Sequence, residues 1–416
     1  MTREVILTLG LLLGAGLAAR VIGQLARVPE LLVLVGAGAL LGPSALDVVD
    51  VPLDTLGAQL VFTLGVSAIL FFGGLSLSLD VLARVWLSLG LLAVVGVVIT
   101  AIVVGAAAAV VFDLSLAEGL LIGAVLSPTD PAILIPLFVG SRLRAKVAQT
   151  VVAESALNDP TGAVLALAIA GTIVSGDPSL GAGADFVGQL AVSTVLGIVA
   201  GVVLAATISS HRAGIWRDST PLAVLAVVAI GYVSLDSAGG SGYLGAFLAG
   251  LVVGNMERLG LAMHSEHERD LRLFAGTLAD VVTTLVFVIV GASLPFGALG
   301  EHWLAGVAVI AVLLLVARPL TVLACTMPDR RAGWTAPELV FLCWTRETGV
   351  VPAALVGVLA GLGAPNGDVL ASVVAIAIVV TLLVQALPAR WLAGRLGLLD
   401  APGSRPDPET AASREG

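Results

Sequence analysis

Apolar residues run along this chain in stretches of about 17–25 residues, long enough to cross a bilayer as helices, separated by short polar clusters. The stretches fall near 5–23, 30–46, 56–75, 85–112, 116–138, 147–173, 186–209, 219–235, 241–256, 271–293, 303–326, 336–362 and 368–392. Backbone groups inside hydrocarbon must be bonded within their own segment. The pattern therefore predicts an all-α polytopic membrane protein of about thirteen transmembrane helices.

The polar clusters orient that prediction. Arg27, Arg84, Arg142 with Arg144 and Lys146, Arg212 with Arg217, Arg258 with Arg269 and Arg272, Arg330 with Arg331, and Arg390 with Arg395 fall in alternate connections. The connections between them hold acids, among them Asp47, Asp113, Asp177, Asp236, Glu301 and Asp368, and no Lys or Arg. Basic loops stay cytoplasmic, so the N-terminus is predicted outside and the C-terminus inside a cell membrane.

Composition sharpens the class. The 416 residues are 58% hydrophobic and 12% charged, against about 25% charged in soluble domains. The 49 glycines suit close helix contacts in lipid. The net charge of −9 comes with no basic run, which argues against nucleic acid. Cys325 and Cys343 sit in apolar stretches and read as space-filling thiols. Met1–Arg3 lacks the character of a removable signal, so the first stretch is predicted to be a retained helix. Residues 401–416 read as a disordered cytoplasmic tail behind a transmembrane domain over 1–400. No phosphate-binding loop, nucleophile elbow or His-Glu-x-x-His helix is present, so neither an enzyme nor a cofactor is predicted.

Ionisable groups inside apolar stretches are costly and mark function. In the fifth stretch Pro128 and Pro131 flank Thr129 and Asp130, so that helix must break there and leave a half-helix N-terminus suited to a carboxylate. In the sixth, Glu154-Ser155-Ala-Leu-Asn158-Asp159 places Ser155 with Asp159, and Glu154 with Asn158, on shared helix faces. Asp159 lies roughly 18 Å from the inner end, near the midplane. A carboxyl group there can trade a proton for an alkali cation, with hydroxyl and freed carbonyl oxygens as further hard ligands. Arg318 in the eleventh stretch matches the depth of Glu154, predicting a structural ion pair. The twelfth stretch carries Arg346-Glu347 ahead of Gly349 and Pro352, a second broken helix with charge at the break. The fifth and twelfth stretches run in opposite directions, the mark of inverted-topology repeats whose broken helices cross at the site. Spans 4–6 and 11–13 would be the paired repeats. His264-Ser-Glu-His-Glu268 reads as a solvated or pH-sensing connection rather than a metal site. Gly73-Gly74 and Gly239-Gly240 read as packing or turn glycines.

Thr129-Asp130-Pro131 followed by Glu154-Ser155-Ala-Leu-Asn158-Asp159 resembles the monovalent cation/proton antiporter superfamily, in its type-1, NhaP-like sodium/proton antiporter branch. The resemblance covers the apolar chain. It implies Asp159 as the ion and proton carrier, with Ser155, Asp130 and the Thr129 backbone as ligands of Na+ or K+. Asn158 would mark the electroneutral members. It also implies a homodimer in which a transport bundle, spans 4–6 and 11–13, moves against a scaffold of spans 1–3 and 7–10. Two departures touch the pore: Arg346 is followed by Glu347 where relatives carry glycine, and Gly73-Gly74 stand where many carry a third-span carboxylate. Ion selectivity does not transfer across these changes.

The expected function is alternating-access exchange of a monovalent cation, sodium first with potassium or lithium as alternatives, for a proton. A cation channel or ion sensor, or a sodium-driven solute symporter, could be built from the same broken helices. Saturable countertransport separates the channel. A symporter needs a further polar pocket, and the only intramembrane bases singled out are Arg318 and Arg346.

Overall fold

The computed structural model describes residues 2–26, 28, 30–53, 55–77, 79, 85–130, 143–176, 181–210, 214–294, 296–386 and 388–399. Outside these fall the predicted tail at 401–416, Pro131 with the rest of the fifth stretch to 138, and connection residues such as Arg27, Arg84, Arg142, Arg212 and Asp177. The described chain is nearly all helix: α1 Thr2–Ala26, α2 Glu30–Leu41, α3 Leu56–Ser76, α4 Trp86–Val111, α5 Leu116–Val125, α6 Ala145–Ser175, α7 Gly181–Ile208 and α8 Thr220–Ser237. There follow α9 Gly242–Gly254, α10 Ser265–Ala292, α11 from Phe296 to Thr326, α12 Ala336–Trp344, α13 Val350–Gly361, α14 Gly367–Thr381 and α15 Ala389–Arg395.

Among the described residues nine helices are long and apolar enough to cross a membrane, and α2, α5, α9 and α13 are shorter apolar helices. Each overlaps a predicted apolar stretch, and several of the long ones run a few residues beyond it. Two of the short ones, α5 and α13, share a physical cause. Two extended breaks, at 126–130 and 345–349, stop α5 and separate α12 from α13. The helices leading into the breaks start alike. Ser115 with Glu118 and Thr335 with Glu338 each form a reciprocal capping box that satisfies the first amides of α5 and α12. In α11, Pro319 has no N–H to return, and the helix widens into a π turn over Leu313–Ala317 immediately before Arg318.

Helix contacts rely on small residues where lipid supplies no hydrophobic drive. A Cβ at Gly74 would lie 2.1 Å from the Phe247 carbonyl oxygen, and one at Gly250 2.0 Å from that of Phe71, so α3 and α9 meet backbone to backbone. Gly239, with φ +74°, is a turn glycine. The main core joins α4, α5, α6, α11, α13 and α14 with faces of α2, α3 and α10. A smaller cluster ties Leu143, Val147 and Val151 to Phe341, Ala393 and Leu398. There the segment after α15 lies on the residues that enter α6, with the Arg144 N–H donating to the Leu398 carbonyl at 2.9 Å.

Candidate functional site

The first break is held open by α6. Pro128 cannot donate, and the following peptide is satisfied by side chains instead of helix. Ser155 Oγ donates to the Thr129 carbonyl at 2.5 Å, the Thr129 N–H donates to Asn158 Oδ1 at 3.1 Å, and Asn158 Nδ2 donates to Thr129 Oγ1 at 2.9 Å. Ser155, Asn158 and Thr129 are all buried, so one turn of α6 fixes an extended peptide in a water-poor interior. Both ends of the Asn158 amide are thereby committed to Thr129.

The two breaks then satisfy each other. The Asp130 N–H donates to the Glu347 carbonyl at 3.0 Å, and the Val350 N–H donates to Asp130 Oδ2 at 3.1 Å. Arg346 Nη2 donates to the carbonyls of Leu126 at 2.6 Å and Ser127 at 2.9 Å. A helix leaves bare amides at its start and bare carbonyls at its end, with matching partial charges. Asp130 therefore meets the positive start of α13, and Arg346 the negative end of α5. The sequence places Asp130 beside a half-helix N-terminus. That N-terminus belongs to α13, whereas the continuation of Asp130's own stretch lies outside the described residues.

Arg318 and Glu154 pair through both ends of their groups: Nη1 meets Oε1, and Nη2 meets Oε2 at 3.0 Å. Arg318 further donates to the carbonyls of Leu342 at 2.9 Å and Thr345 at 3.0 Å, the last turn of α12. One guanidinium thus joins α6, α11 and the second break. Glu347 is buried with Oε1 unpartnered among the described residues, as are Arg346 Nη1 and Thr348 Oγ1.

Asp159 stands in mid-α6, half-buried, beside the buried Ser155 and Asn158, and Asp130 is its charged neighbour. Thr129, Ser155 and Asn158 are therefore in contact, Asp130 joins the two breaks, and Glu154 with Arg318 brackets them. Further polar groups interrupt apolar stretches without having been predicted. Gln385, in the π turn just after α14, exchanges two hydrogen bonds with Trp344, and Arg20 pairs with Glu30 at 2.8 Å and reaches within 4.0 Å of Asp280. The rule that flagged Asp130, an ionisable group inside an apolar run, would also have found Arg20 and Asp280. Asn255 clasps the end of α3, donating to the Leu77 carbonyl and accepting from the Leu79 N–H.

Away from the breaks, His264 Nδ1 shares a hydrogen bond with Ser210 Oγ at 2.7 Å, and His267 Nε2 lies 3.6 Å from Asp218. Among the described residues no three His, Cys, Asp or Glu side chains gather as for a resident metal, and Cys325 and Cys343 are free.

A family model described as "Sodium/hydrogen exchanger, transmembrane" matches residues 7–394. The K(+)/H(+) antiporter NhaP of Alkalimonas amylolytica is 29% identical over 394 residues, which cover 93% of this chain and 66% of that protein. The Probable Na(+)/H(+) antiporter 2 of Methanocaldococcus jannaschii is 28% identical over 363 residues, covering 83% of this chain and 82% of that one. The solved structure of the sodium proton antiporter MjNhaP1 from Methanocaldococcus jannaschii at pH 8 matches with a TM-score of 0.79 at 23% identity, over 94% of this chain and 99% of that chain, a likeness of fold. The chain spans 61–66% of the length of the K(+)/H(+) antiporters it matches in Alkalimonas amylolytica and Shewanella.

Proposed function

Because the chain belongs to the sodium/hydrogen exchanger family, we propose that it is a secondary active antiporter exchanging a monovalent cation for a proton. Relatives are named for potassium and for sodium, and both ions are candidates here. The observation that carries the reading is the half-buried Asp159 carboxyl beside Ser155 and Asn158, which hold the broken-helix peptide at Thr129.

In this reading Asp159 binds either a proton or a cation, and only the occupied, neutralised site crosses the apolar barrier. Ser155 Oγ and the Thr129 carbonyl each keep a lone pair for the ion, and Asp130 adds carboxylate charge while capping α13. Asn158 is uncharged and holds Thr129 in register. One proton then balances one cation, and the exchange is electroneutral. Arg346 and Asp130 compensate the ends of the broken helices, and Glu154 with Arg318 braces them. The helices around the breaks form the transport bundle, which moves against the remaining helices as scaffold in a homodimer at the cell membrane, N-terminus outside.

The test is a pH-sensitive dye in proteoliposomes, with Na+, K+ and Li+ added in turn. Wild type should show saturable, cation-driven pH change, and Asp159→Asn should lose it while keeping its elution profile and melting temperature. Retained exchange in the variant would remove Asp159 from the role, and passive, non-saturating flux would favour a channel. A membrane potential built up by exchange would refute electroneutrality alone.

A further inference from the structure

Pro160 lies inside α6, one residue beyond Asp159, and the helix runs through it from Ala145 to Ser175. Proline has no N–H, so the carbonyl of Ala156, four residues earlier, has no helical donor. A carbonyl freed at membrane depth needs another partner. In helix geometry that oxygen points along the axis toward the turn that carries Asp159.

The surroundings of this turn are uneven. Glu154, Ser155 and Asn158 are buried, whereas Ala156, Leu157 and Asp159 are half-buried, so α6 keeps one partly open face. Across it stands Gly73 of α3, itself half-buried. A Cβ there would meet only the Ala156 side chain, at 4.0 Å. The space in front of Ala156 is thus left open by a residue without a side chain, and a carbonyl without a donor lies one turn from the half-buried carboxyl.

We propose that the Ala156 carbonyl, freed by Pro160, is a further ligand for the transported alkali cation beside the Asp159 carboxyl. The assignment rests on the antiport reading. Carbonyls freed from helices replace the hydration shell of alkali ions as they leave water. A neutral carbonyl serves a metal cation as a full ligand, whereas a protonated carboxyl can use it only as a single hydrogen-bond acceptor. It therefore tilts the competition at Asp159 toward the metal ion. Pro160 is the positioning residue: it touches no ion and acts by withholding one N–H.

Pro160→Ala and Pro160→Gly both supply that N–H, yet alanine favours helix and glycine disfavours it. Both variants of the full chain should raise the KM for Na+ or K+ by about tenfold, the effect of one compromised polar ligand. The kcat should change little, since the lost interaction is one of binding. Their melting temperatures should move apart, with Pro160→Ala the higher. A NaCl titration of the melting temperature reads binding without transport, and its midpoint should shift by the same factor. A wild-type KM in either folded variant, or a KM that follows melting temperature rather than the shared N–H, overturns the assignment. Wild-type vesicles that exchange no cation would instead overturn the antiport reading, and this ligand with it.

Discussion

The carboxylate of Asp130 accepts the backbone N–H of Val350 at 3.1 Å, so a side chain from one broken helix caps the second half of another. Gly349 makes the contact possible. A Cβ at that position would lie 1.8 Å from Asp130 Oδ2 and 2.1 Å from Asp130 Cβ. Rotating the aspartate cannot relieve the second clash, because Cβ does not move with the side-chain torsions. Gly349→Ala should therefore push the two breaks apart, with a destabilisation of about 1–3 kcal/mol and loss of exchange. Thermal melting in detergent and the dye assay check both, and an alanine variant that melts and transports like wild type would contradict the geometry.

Glu154 and Arg318 are both buried and share two contacts. Removing either leaves an uncompensated charge, at a cost of about 3–5 kcal/mol, whereas replacing both with apolar residues of similar size removes the need for a partner. Glu154→Leu and Arg318→Met should each lower the melting temperature sharply, and the double variant should recover much of the loss. Equal and additive losses would show that the two act independently. The carbonyls of Leu342 and Thr345 would lose a donor in any Arg318 variant, so recovery will fall short of complete.

Asn158 accepts from the Thr129 N–H and donates to Thr129 Oγ1. Asn158→Ala should strand a buried amide N–H, cost about 1–3 kcal/mol and weaken cation binding by loosening Thr129. Asn158→Asp keeps the acceptor, and the threonine hydroxyl can turn to donate, so it should melt closer to wild type than the alanine variant does. Melting curves that rank the two the other way round would sink the clamp.

Asp329 offers a pH test in the connection between α11 and α12. Burial by itself would raise its pKa. The Ser88 hydroxyl at 2.7 Å and N–H at 3.2 Å, with backbone donors of Ala332 and Arg331, outweigh that and hold it below the usual carboxylate value. A carboxyl whose folded pKa is depressed contributes stability that is whole above its unfolded value, about 3.9, and is lost as pH falls through the folded one. Asp329→Asn should lower the melting temperature at neutral pH, and the gap to wild type should close as the pH drops below about 4. A gap independent of pH would show that the charged form carries no advantage.

Much of this protein is readable without coordinates because lipid makes local rules strict. The apolar run lengths dictate helices, paired prolines around Thr129 and the Arg346–Pro352 segment dictate breaks, and a residue's distance from its helix end gives its depth. Depth alone matched Glu154 to Arg318 across 164 positions. Counting along one helix is less informative about direction. Glu154 and Asn158 share a face four residues apart, yet one meets Arg318 on α11 and the other Thr129 in the first break.

From the residues alone come the membrane-spanning class, the places where helices must stop, and the buried carboxyls that hydrocarbon tolerates only for a purpose. Those conclusions follow from the solvation of single groups and need no neighbour. Only the folded chain decided that Asp130 caps α13, that Arg346 answers the carbonyls of α5, and that Asn158 spends its amide on Thr129. Each of these is a contact between segments far apart in sequence. Its partner is selected by how the helices pack, and packing is a property of the whole assembly rather than of any stretch within it.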